Sequence, residues 1–158
     1  MTMKSRVAAA VAAAAIVLSA GGAAAQDWQA EAAYGHIQLA SGFQPDPHNI
    51  NLTAGGTINA QTALGDACPG FIANAPDYDL VWQAGNLGLP LVISVNSETD
   101  TTLVVRTPNG EWLCEDDGGY NALNPGMRID NPQSGLYDIW VGTYGGGYAP
   151  AVLSISEV

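Results

Sequence analysis

The run Asp-Thr-Thr-Leu-Val-Val-Arg-Thr-Pro-Asn-Gly-Glu-Trp-Leu-Cys-Glu-Asp-Asp, from Asp100 to Asp117, decides the fold class. Pro108-Asn109-Gly110 is turn chemistry: proline presets φ, and asparagine and glycine tolerate positive φ. Before the turn, Leu103, Val105 and Thr107 alternate with Thr102, Val104 and Arg106; after it, Trp112 and Cys114 alternate with Leu113 and Glu115. Two alternating runs joined by a turn read as an antiparallel hairpin. A turn centred on Asn109 sets Val105 opposite Cys114 and Thr107 opposite Trp112. Leu103, Val105, Trp112 and Cys114 then share the core face, and a slip of one residue would exchange the faces.

That pairing draws Asp100, Asp116 and Asp117 together at the open end of the hairpin. Converging carboxylates stay solvated, hold a proton or bind a cation. Calcium suits such a set, because it accepts carboxylate, carbonyl and water oxygens in flexible geometry. Asn121, Asn124 and the carbonyls of Gly118-Gly119 are further oxygen donors nearby. The spacing is not that of an EF-hand. Two readings stand, a solvated acidic loop and a calcium site.

Outward from the hairpin the same pattern continues. Glycine and proline punctuate short alternating runs, and helical periodicity is nearly absent. Strands are expected near residues 35–39, 49–52, 56–59, 78–83, 89–96, 101–107, 111–114, 127–130, 135–144 and 149–156. Together they predict an all-β protein, a single jelly-roll-like antiparallel β-sandwich. Residues 26–40 form an N-terminal lead-in and first strand, with Gln26–Ala33 read as disordered or a short helix, and residues 41–158 form the sandwich.

The first 25 residues have another character. Lys4 and Arg6 precede an apolar run from Val7 to Leu18, and Ala23-Ala24-Ala25 offers small residues for cleavage. This pattern predicts a signal peptide cut near Ala25-Gln26 and a secreted or periplasmic protein. The apolar run is shorter than a membrane span needs, and no later segment approaches one. Without the leader, Arg106 and Arg128 face all fifteen acids, a formal charge of −13 against −11 for the whole chain. So acidic a surface argues against nucleic-acid and anionic-membrane partners. Cys68 and Cys114 are the two cysteines of the chain, and in an exported protein they are expected to pair.

Near the C-terminus, Tyr137, Ile139 and Val141 read as a core face, which turns Trp140 the other way. Tyr144 and Tyr148 follow on a glycine-rich loop. Trp140, Tyr144 and Tyr148 are therefore candidate ligand-binding aromatics; the alternative is that Trp140 packs under a loop and the tyrosines cap the sandwich.

Pro76-Asp77-Tyr78-Asp79-Leu80, Leu91–Val95, Asp100–Val105, Pro108-Asn109-Gly110, Asp116-Asp117, Asn124-Pro125 and Gly135–Gly142 together resemble the bacterial pre-peptidase C-terminal domain. The resemblance covers about Ser41 to Val158. It implies a compact β-sandwich that accompanies exported proteins, with calcium in the collagen-binding relatives. There the calcium ligands lie near the N-terminal edge, where this chain offers Gln44-Pro45-Asp46-Pro47-His48-Asn49. The chain departs from the pattern in its cysteine pair and in having no attached catalytic domain.

Catalytic constellations are weak. His36 and His48 are the only histidines, and neither Ser41 in Ala40-Ser41-Gly42 nor Ser134-Gly135 has a nucleophile-elbow context. The expected function is a non-catalytic binding or accessory module for a protein or glycan ligand of the envelope or exterior. The alternatives are an accessory or chaperone-like partner of a separately encoded exported peptidase, and a small secreted hydrolase.

Overall fold

A computed structural model describes residues 26–158. The leader expected over residues 1–25 lies outside the described residues. The elements, in chain order, are β1 (His36–Ala40), β2 (His48–Gly56), β3 (Ile58–Asn59), α1 (Ala60–Leu64), β4 (Phe71–Ile72), β5 (Tyr78–Gln83), β6 (Leu91–Asn96), β7 (Thr101–Arg106), β8 (Trp112–Glu115), β9 (Gly126–Ile129), β10 (Gly135–Thr143) and β11 (Gly147–Ser156). They form an all-β sandwich of a seven-stranded and a four-stranded sheet. Among the described residues, no helix is long and apolar enough to cross a membrane.

In the larger sheet, β10 is the spine. One edge pairs with β5 and then β4, and the other pairs with β7, which in turn pairs with β8. All these pairs are antiparallel; β1 departs from that pattern by joining β5 in parallel. The smaller sheet runs β2-β11-β6-β9. Alternate residues of both sheets meet between them, with Leu80, Leu103 and Ile139 from one and Ile93, Leu153 and Ile155 from the other wholly buried.

The hairpin register is one residue away from the expected one. Val104 pairs with Cys114, Val105 with Leu113 and Arg106 with Trp112. The turn explains the slip. Thr107 N–H donates to the Glu111 carbonyl, so only Pro108, Asn109 and Gly110 lie in the loop, and Gly110 closes it at φ 84°. Leu103 and Val105 do face the inter-sheet core, whereas Trp112 and Cys114 face the other side. There they meet Val104 and Trp140 under a cover made of Ala60 on α1, Cys68 and Ile72. The Trp112 and Trp140 rings lie 5.3 Å apart.

Cys68 and Cys114 are bonded, with Cα atoms 5.0 Å apart, and so staple that cover to β8. Asn59 starts α1 by accepting from Thr62 N–H, which is how a five-residue helix persists inside the cover. The lead-in is neither disordered nor helical: its turns are bonded to the body, Ala33 N–H to the Pro76 carbonyl and Tyr34 N–H to that of Asp77. Trp28 lies 3.9 Å from the Arg106 guanidinium.

Two outcomes follow from the staple. The unfolded, unreduced protein should titrate no free thiol. Reduction should lower stability by about 4 kcal/mol on the chain-entropy account of a closed loop with sequence separation 46; an unchanged denaturation midpoint on reduction would contradict the staple. Trp140→Ala, which empties the centre of the covered cluster, should cost about 3–5 kcal/mol in the same assay.

Candidate functional site

Asp100, Asp116 and Asp117 are brought together as their positions in the hairpin suggest. One carboxylate oxygen of each lies within 4.8 Å of the others. Asp100 precedes β7, and its carbonyl accepts from Tyr144 N–H beyond β10, so the ends of these two strands fix its position. Asp116 and Asp117 begin the loop after β8. Glu115 folds that loop: its carboxylate accepts from Gly118 N–H at 2.9 and 3.0 Å and from Gly126 N–H at 3.0 Å. Asn124 supports it from beneath. It is buried, accepts from the Thr101 hydroxyl at 2.7 Å and donates to the Ser97 carbonyl and to Asn121 Oδ1. The amide oxygens of Asn121 and Asn124 are thus committed to building the loop.

The electrostatics of the cluster are strained. Burial, and then the Asp117 charge, push the Asp100 carboxyl above its ordinary value. Burial followed by Asp117, Asp100 and Glu115 does the same to Asp116. Oδ1 of Asp100 and Oδ1 of Asp116 are buried with no hydrogen-bond partner in the protein. Unpaired buried carboxylate oxygens are costly. An all-oxygen donor set of this kind fits a hard cation such as calcium.

The N-terminal segment Gln44–Asn49 is committed elsewhere. Asp46 accepts from Glu157 N–H, and Glu157 accepts from Ser41 Oγ and Gly42 N–H. His48 Nε2 lies 3.2 Å from the Tyr78 hydroxyl. Ser134 Oγ accepts from Ala84 N–H. Among the described residues, no serine or threonine side chain hydrogen-bonds to a histidine.

Of the aromatic candidates, Trp140 is fully buried against the disulfide-stapled cover and presents no surface to a ligand. Tyr144 and Tyr148 are exposed. The turn between them passes from one sheet to the other, so Tyr144 stands beside Asp100 while Tyr148 lies on β11 of the smaller sheet.

Sequence reasoning missed a row of charges across four strands of the larger sheet. His36 pairs with Asp79, Asp79 with Asp138 and Asp138 with Arg106, on β1, β5, β10 and β7. Arg106 Nη1 lies 3.4 Å from Asp138 Oδ2. Residues scattered between positions 36 and 138 meet only through strand order, so only the strand pairing could have revealed them.

No protein-family model matches the chain, and no curated protein is similar to it. Among solved structures, the chain is similar to PliG of Aeromonas hydrophila, a periplasmic lysozyme inhibitor of g-type lysozyme. Identity is 17% over 77% of this chain and 96% of that one, with a TM-score of 0.39. A likeness so distant assigns no residue a role.

Burial pushes the Asp77 carboxyl up to about 7 against a hydrogen bond from Val141 N–H. Burial and then the Asp138 charge push Asp79 up to about 6, against His36. Burial also raises Asp138, against Arg106. Each group holds its proton more tightly folded than unfolded. The stability it contributes is therefore complete below the ordinary value of 3.8 and is lost as pH rises through 6 to 7. The unfolding midpoint should fall between pH 5 and pH 8. Asp77→Asn keeps an acceptor for Val141 N–H without a charge and should flatten that fall; a variant with the wild-type profile would remove Asp77 as its source.

Proposed function

We propose that this chain is an extracytoplasmic, non-catalytic binding module whose acidic hairpin end takes calcium. The observation that carries the reading is the Asp100–Asp116–Asp117 cluster, one carboxylate oxygen of each within 4.8 Å of the others, two of the three residues with a buried unpartnered oxygen. Asp100, Asp116 and Asp117 would hold the ion. It would supply the charge compensation that the fold does not, because both arginines among the described residues are already paired, Arg106 with Asp138 and Arg128 with Asp130.

The disulfide supports an oxidising compartment, as the leader-like first residues do. A non-catalytic role is supported by the engagement of His48 with Tyr78 and of Ser41 with Glu157, which leaves neither poised as base or nucleophile. Kinship with the pre-peptidase C-terminal domain is part of the proposal. The matched pieces Leu91–Val95 and Gly135–Gly142 lie on β6 and β10, in opposing sheets of one sandwich. The ligand class is a protein or a glycan outside the cytoplasm.

Thermal unfolding of the disulfide-intact protein, titrated with calcium and then with EDTA, tests the cation site. Calcium should raise the midpoint saturably, by about 2.7 kcal/mol of stability at one hundred times the dissociation constant. Asp116→Asn combined with Asp117→Asn should abolish the response. No shift, or one that sodium and magnesium reproduce, would return the three aspartates to a solvated acidic surface.

A further inference from the structure

The outward face of the smaller sheet differs chemically from the rest of the molecule. The chain carries fifteen acids, yet none lies on β2, β6, β9 or β11. Along these strands the alternation that sends Leu153, Ile155, Ile93 and Val95 into the core turns Ser154, Ser156, Ser94 and Asn96 outward. Register places Ser154 beside Ser94, and Val152 between Asn96 and Asn51. Hydroxyls and amides thus alternate with Val152 and Val92 across adjacent strands, which lie about 5 Å apart.

The face is also hollow. A groove of about 720 Å³ is lined by Ser94, Asn96, Arg128 and Ser154 together with the apolar Val92 and Met127, with Tyr120 at its rim, and no acidic side chain lines it. A second hollow of about 490 Å³ continues from Asn96 and Asn121 to Asn51, with Glu98 its one acid. Tyr120 is wholly exposed, on a loop whose base is fastened by Glu115 and Asn124. Tyr148 stands 68% exposed farther along β11. Arg128 Nε lies 2.8 Å from Asp130 Oδ1, so its charge is compensated.

We infer that this face binds a neutral oligosaccharide chain. The inference deepens the binding-module reading and rests on it. Serine hydroxyls and asparagine amides both donate and accept, which matches sugar hydroxyls that do the same. Exposed tyrosines give rigid apolar surface with a polar tip, suited to the C–H face of a sugar ring. An acidic polymer would approach a molecule of formal charge −13 with no uncompensated cation on the groove.

Calorimetric titration of the intact protein with cellohexaose, N-acetylchitohexaose and hexagalacturonate, each with calcium and with EDTA, tests this. At least one neutral hexasaccharide should bind saturably. Tyr120→Ala and Asn96→Asp should each weaken it tenfold or more. Unfolding midpoints of the variants separate lost binding from lost folding. Binding of hexagalacturonate alone, neutral binding indifferent to Tyr120→Ala and Asn96→Asp, or no sugar binding at all would overturn the inference. In the last case a persisting calcium response would leave the cation site of the binding module standing and the glycan face refuted.

Discussion

Strand β10 must be buried on both faces and hydrogen-bonded on both edges, and the rest of the structure follows from meeting those demands. Ile139 and Val141 supply one face and are buried between the sheets. Trp140 supplies the other, which forces a second layer over the larger sheet; α1, Cys68 and Ile72 provide it, and the disulfide holds it down. The edges are harder to satisfy. On one side β5 pairs as far as Ile139 and β4 begins only at Thr143, so Val141 N–H falls in the gap. Asp77 Oδ2 fills it at 2.7 Å. A buried N–H without a partner costs more than a side-chain carboxyl held near neutrality, so a buried aspartate with a raised pKa is the cheaper arrangement.

The same strand organises the acids. Asp138 lies on β10 between Asp79 and Arg106, and Arg106 also faces the Trp28 ring, so one guanidinium ties the lead-in to the centre of the sheet. At the far end of β10, the backbone of Tyr144 holds Asp100 against the loop that carries Asp116 and Asp117. The acidic cluster is thus anchored by the element that carries the core, which keeps three mutually repelling carboxylates in place.

Much of this was legible in sequence, and the limits have physical reasons. Alternation gave most strands and the inward faces of β7 and β10, because a strand between two layers cannot hide its period. The Asp100–Asp116–Asp117 convergence was legible because it needs only a hairpin, and it tolerates the one-residue slip. The burial of Trp112 and Cys114 in a second cluster was not, since it depends on whether three or four residues close the turn, which Gly110 decides through its backbone. The parallel pairing of β1 with β5 and the two-residue strand β4 leave no periodic trace, so the charge row and the role of Asp77 stayed hidden. Trp140 was rightly turned away from the inter-sheet core, but alternation cannot tell solvent from a second layer.

The distribution of charge sets the two faces of the sandwich apart. Arg106 and Arg128 are the cations among the described residues apart from histidine, and each is paired with an aspartate, buried Asp138 and surface Asp130. One dication bound at the aspartate cluster would change a formal charge of −13 only to −11 and so would leave what the whole molecule attracts at long range nearly unaltered. The loop that begins at Asp116 carries Tyr120 to the rim of the groove on the smaller sheet. Glu115 and Asn124 already fasten its base through hydrogen bonds internal to the protein. A cation at Asp116 and Asp117 would therefore act on the start of a loop whose base the protein's own hydrogen bonds already hold.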